Sequence, residues 1–168
     1  MTRTTNARIA GVTFLIYIAA GIASLVLSGR AHATDILSLI TSFAALVLGV
    51  TLYAITREQD PDLAMLGLTC RVVEGIPGHA GAIFFAVGST LFWLLLRGRM
   101  IPVALAWLGV VASVLLVVIL PLQLAGLFGG SANWFSAVTW LVWLPMLVFE
   151  VVLGLWLLIR GVAVPAGR

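Results

Sequence analysis

Three ionisable residues lie inside apolar stretches of this chain, and they are the ones whose types and spacing could do chemistry: Arg71, Glu74 and Glu150. Arg71 and Glu74 are three apart, so a helix would carry them on one face within pairing distance. An ionised side chain at the centre of a bilayer costs roughly 2.5–3.5 kcal/mol on insertion scales, so each of the three calls for a partner. Two roles compete. The residues could form a structural ion cluster that fixes how two helices pack, or a site for a substrate, an ion or a proton. One arginine serving two glutamates would leave an excess negative charge, which apolar surroundings penalise unless a carboxylate is protonated or holds a cation.

The remaining reactive side chains do not assemble into a catalytic or metal site. His32 and His79 are far apart in sequence and lack the spacing of a zinc motif, so no metal is expected. The single cysteine, Cys70, excludes an intrachain disulfide and a thiolate cluster. It also has no histidine in its own apolar segment to generate a thiolate. The acidic run Glu58-Gln59-Asp60-Pro61-Asp62 reads as a solvated turn that starts a helix. No glycine loop that could cradle a phosphate is present. No catalytic residue and no cofactor are therefore assigned, and the reading leans away from an enzyme.

The elements that position these residues must be membrane spans. Of the 168 residues, 62% are hydrophobic and 9% charged, with a mean hydropathy of +1.21. A soluble domain carries about a quarter charged residues. Uncharged runs at 9–28, 36–56, 75–96 and 100–149 each reach the ~18 residues of a transmembrane candidate. The net charge of +3 comes from scattered arginines rather than a basic face, which argues against nucleic acid as a partner. The absence of lysine beside abundant Arg, Ala, Gly and Val points to a GC-rich genome, hence a bacterial plasma membrane.

The expected fold is all-α: one transmembrane domain over 1–168, a polytopic bundle of six helices at about 9–28, 35–56, 61–76, 80–96, 102–127 and 134–159. The first competes with a secretory signal, since basic residues, an apolar run and Ala31-His32-Ala33 resemble one. Its apolar run exceeds the ~7–15 residues of such signals, so it is expected to stay attached. The second should start with Thr34 as cap and Asp35 in the first turn. The third has the clearest start, at Asp60-Pro61-Asp62, and with the fourth it should form a tight hairpin. Residues 61–76 rise only ~24 Å against a ~30 Å hydrocarbon core, which leaves mismatch, local thinning or a partly re-entrant hairpin open. Gly129 to Asn133 should break the last long run.

Seven arginines flank one side of this arrangement and one, Arg30, the other, so both termini should face the cytoplasm. Trp93 and Trp134 are placed as interfacial anchors, and Gln123 near an interface. Pro121 and Pro145 are expected to kink their helices and free the carbonyls of Val117 and Leu141. Ala20 with Ser24, and Gly109 with Ser113, follow the small-residue spacing that lets membrane helices approach closely. At ~1.5 Å per residue Arg71 and Glu150 each lie ten residues from the inner boundary, so both should reach the midplane and pair with one another.

Several segments in order resemble the bacterial membrane family catalogued as domain of unknown function 4386. They are Ala7-Arg8-Ile9-Ala10-Gly11, Arg71-Val72-Val73-Glu74, Gly88-Ser89-Thr90-Leu91-Phe92, Arg97-Gly98-Arg99-Met100-Ile101-Pro102 and Phe149-Glu150-Val151-Val152-Leu153-Gly154-Leu155-Trp156. The resemblance spans nearly the whole chain, in a form shortened between the Arg71–Glu74 segment and the helix that follows. It implies an integral membrane protein and supplies no reaction. The first functional reading is a non-catalytic accessory or structural membrane subunit. The alternative is a small transporter or proton-coupled carrier using Arg71, Glu74 and Glu150. An intramembrane lipid-modifying enzyme lacks a nucleophile or a metal. The expected partners are the lipid bilayer and either a second copy of the chain or another membrane subunit. A wet cavity reaching Glu150 would favour transport, and a dry, closed ion cluster a structural role.

Overall fold

The computed structural model describes residues 2–76, 81–97, 100–127 and 137–163, with side chains in the last segment from residue 139. Its six helices are α1 (Arg3–Val26), α2 (Ala31–Thr56), α3 (Pro61–Glu74), α4 (Gly81–Leu96), α5 (Val103–Leu124) and α6 (Ala137–Ile159). No strand occurs among the described residues. α1, α2, α5 and the Thr139–Ile159 part of α6 are long and apolar enough to cross a membrane. The lipid-facing character is plain on α2, where Ile36, Leu39, Phe43, Val47 and Val50 are exposed. In water such a face would be untenable.

Local chemistry explains where the helices begin. Asp60 accepts from the backbone N–H of Asp62 and of Leu63 at 3.1 and 3.0 Å, and Pro61 opens α3, as its sequence requires. Two starts differ from expectation. α1 takes in the polar leader, because Thr2 caps it by accepting from Thr5 N–H at 3.1 Å and because Ala7 and Ala10 are buried. α2 begins at Ala31, ahead of Thr34. The Thr34 hydroxyl donates back to the carbonyls of Arg30 and Ala31 instead of capping, and no acidic residue lies in the first turn. Backbone pairing back to Arg30 extends the helix by a turn that side-chain preferences alone do not reveal.

The helices form a ring: each packs against its neighbours in sequence, and α6 closes onto α1. That last contact brings backbone against backbone. A Cβ on Gly11 would lie 2.6 Å from the carbonyl oxygen of Gly154 and 2.7 Å from the backbone nitrogen of Leu158, so only glycine admits this crossing. Gly109 likewise sits beneath the Phe149 ring. The middle of the ring is filled by aromatics. Trp93 is fully buried, edge-on to Phe149 with centroids 4.8 Å apart and 5.9 Å from Phe14. Trp93 is thus a core residue and not an interfacial anchor; Trp134 lies outside the described residues. Gln123 is buried as well.

Pro121 and Pro145 both lie inside continuous helices, Pro121 in the last turn of α5. The 14 residues of α3 and 16 of α4 rise only about 21 and 24 Å, well under the ~39 Å of α2. The expected α3–α4 hairpin is present, with Gly67 beneath the Phe92 ring and Gly88 against Cys70. The turn residues 77–80, including His79, and the expected break at 129–133 lie outside the described residues.

Candidate functional site

The last turn of α3 places Arg71 and Glu74 on one face. Arg71 Nη1 donates to Glu74 Oε2 at 2.9 Å and to Oε1 at 3.2 Å. Its Nη2 donates to the Ser89 hydroxyl on α4 at 3.1 Å. From α1, the Tyr17 hydroxyl donates to Glu74 Oε1 at 2.7 Å. The guanidinium also lies over the Phe85 ring, 4.9 Å from its centroid, where the negative face of the ring attracts it. Arg71 is wholly buried and only its Nε lacks a hydrogen-bond partner. Three helices are therefore fastened at one charge-neutral pair.

Glu150 does not join that network. No ion pair or hydrogen bond links it to Arg71 among the described residues, and the expected pairing across α3 and α6 is not formed. The ring explains the outcome. α3 and α6 lie opposite one another without a packed interface, while Glu74 is one turn away from Arg71 on the same helix. Glu150 is 4% exposed, and its Oε1 has no hydrogen-bond partner. Of the three charges singled out from sequence, two pair and the third stands apart.

Above the short hairpin is a recess in two connected parts. The larger, about 390 Å³, runs along α1 from Tyr17 to Leu25 and along α6 from Trp140 to Glu150. The smaller, about 310 Å³, reaches Glu74, Ser42 and the first turn of α4. Tyr17, Ser38, Thr41, Phe85 and Trp143 line both. Phe85 stacks on Trp143 at 5.9 Å and on Tyr17 at 6.4 Å, which makes an aromatic wall between the two carboxylates. The recess thus reaches both glutamates but holds Arg71 behind Phe85. Among the described residues, no three His, Cys, Asp or Glu side chains converge as a metal-ligand group.

Sequence reasoning did not foresee Tyr17, Ser89 or Phe85 as members of this site. Tyr17 did carry a signal: a phenol within an apolar span needs a hydrogen-bond partner when buried. Ser24, paired in sequence with Ala20 as a packing residue, instead lines the recess, while Ala20 is buried.

The family model described as "Domain of unknown function (DUF4386)" matches residues 78–161, half of the chain. The matched residues take in α4, α5 and α6, with Phe85, Ser89 and Glu150, and leave out Tyr17, Arg71 and Glu74. No curated protein and no solved structure matches the chain.

Proposed function

The chain belongs to the family of domain of unknown function DUF4386, and from that premise we propose that it is a membrane-embedded small-molecule binding protein, a carrier in function, with its site in the recess between α1, α2, α4 and α6. The observation that carries this reading is the approach of an open cavity to the buried, unpartnered carboxylate of Glu150. A structural ion cluster satisfies its own polar groups, as Arg71, Glu74, Ser89 and Tyr17 largely do, whereas Glu150 has no such partner. Ligand sites are concave and mostly apolar, with a few placed polar groups, and this recess has that character. The paired cluster supports a second role: it holds α1, α3 and α4 together, the work of a structural subunit.

In this reading the protein resides in a bacterial plasma membrane, and the lipid-facing partner of the exposed α2 side chains is acyl chain. Both termini face the cytoplasm, so the recess opens to the opposite side. The test is cysteine accessibility in intact cells, with Thr41→Cys in a Cys70→Ala background and an impermeant maleimide added outside. Thr41 lines both parts of the recess, so its cysteine should react. Reaction of an Arg30→Cys control without reaction of Thr41→Cys would refute the open recess.

A further inference from the structure

Within the recess, the group the fold leaves unanswered is the Glu150 carboxylate. We infer that the recess takes a monovalent organic cation, an ammonium group on an aromatic or short aliphatic body, with the ammonium against Glu150 and the body against Phe85, Trp143 and Tyr17. This rests on the reading of the recess as a ligand site and adds the chemical class of the ligand.

The charges that face the recess decide the sign. Glu74 on α3 is already met by Arg71 and by the Tyr17 hydroxyl, and Arg71 uses its second Nη on Ser89. That pair is formally neutral, and Arg71 does not line the recess. From α2 the walls contribute the hydroxyls of Ser38, Thr41 and Ser42 and no charge. From α6 comes Glu150, 4% exposed, with an oxygen that accepts from nothing. Among the described residues Glu150 is therefore the carboxylate of the recess that no cation meets, and a bound cation would hold it in its ionised form. A cationic donor would satisfy it with a charge-assisted hydrogen bond, roughly twice as strong as a neutral one.

The walls decide the rest. Aromatic rings line the recess, with Phe85 in contact with both Tyr17 and Trp143, and aromatic rings attract a desolvated cation. A divalent metal ion is a poor fit, because magnesium or calcium needs six or more oxygen ligands and the described residues of the recess supply one unpaired carboxylate with a few hydroxyls. Among the described residues that line the recess there is no cationic side chain to receive an anion. The ~390 Å³ of the larger part falls within the ~300–1,000 Å³ of small-molecule sites and limits the body to a ring or a short chain.

The experiment uses the full chain in nanodiscs of zwitterionic lipid, with empty nanodiscs as the partitioning control. Three probes of nearly one shape are titrated by calorimetry: phenylethylammonium, 2-phenylethanol and phenylacetate. The cation should bind at least about tenfold more tightly than the neutral alcohol, a factor that corresponds to one charged contact. Glu150→Gln should erase that preference, while Glu150→Asp should keep it. Equal binding of cation and alcohol, a cation preference that survives in Glu150→Gln, or saturation by none of the three overturns the inference. If Glu150→Gln does not fold, the comparison of probes on the unaltered chain still decides. Failure here with a reactive Thr41→Cys sinks the ligand class alone; an unreactive Thr41→Cys sinks the recess itself.

Discussion

A buried arginine is tolerated only while its partners stay in place, and the partner here is Glu74 rather than Glu150. Removing one member of a buried ion pair leaves an uncompensated charge and costs about 3–5 kcal/mol. Glu74→Ala should therefore lower the stability of the detergent-solubilised protein by that amount. Arg71→Met with Glu74→Leu should recover much of it, since apolar groups of similar size need no partner. Glu150→Ala should lose less than about 1 kcal/mol, because no hydrogen bond is broken there. Reversible unfolding of the four proteins checks the order; a Glu150 variant as unstable as the Glu74 variant would mean that the two glutamates share Arg71 after all.

At the scale of elements, the glycines of α1 separate two uses. Gly11 lies against the backbone of α6, so the methyl group of Gly11→Ala must push α1 and α6 apart. Overpacking of this kind costs typically 1–3 kcal/mol. Gly21 lines the recess and has nothing within 4 Å of where its Cβ would be. Gly21→Ala should leave stability unchanged or raise it by up to about 1 kcal/mol through helix propensity. Thermal melts of the two variants should move in opposite directions or leave Gly21→Ala flat. A fall for both would show that α1 packs more tightly at its second half than the crossing at Gly11 implies. The hairpin of α3 and α4 makes a related point. The ends of both helices line the recess, through Glu74 and Gly75 at the end of α3 and Gly81 and Ala82 at the start of α4.

The whole molecule adds the question of sidedness. With seven arginines on one flank and one on the other, reporter fusions at Arg168 and within 129–133 should report opposite sides of the membrane. The same side for both would break the six-helix passage through the bilayer. A retained α1 is a second expectation at this scale. Phe14 is buried in the core, and Tyr17 supplies a hydrogen bond to Glu74, so cleavage after Ala33 would remove a wall of the ring. Intact-mass measurement of the purified protein should give the uncleaved chain, and a mature N-terminus at Thr34 would exclude it.

The sequence by itself determined the class of fold, the number of helices and most of their limits, because apolar runs of spanning length can be satisfied only as helices in lipid. It also singled out Arg71, Glu74 and Glu150, since an ionised residue in such a run stands out by its cost. Which of them pair was decided only by tertiary structure. Depth along a helix can be counted from sequence, but position around a ring cannot, and Arg71 and Glu150 lie on opposite helices. For the same reason Trp93 read as an interfacial anchor and proved to be core, and Tyr17, Ser89 and Phe85 entered the site unannounced. The recess, too, belongs to tertiary structure. Its walls come from α1, α2, α4 and α6 with the end of α3, elements distant in sequence that share a surface only once the helices are packed.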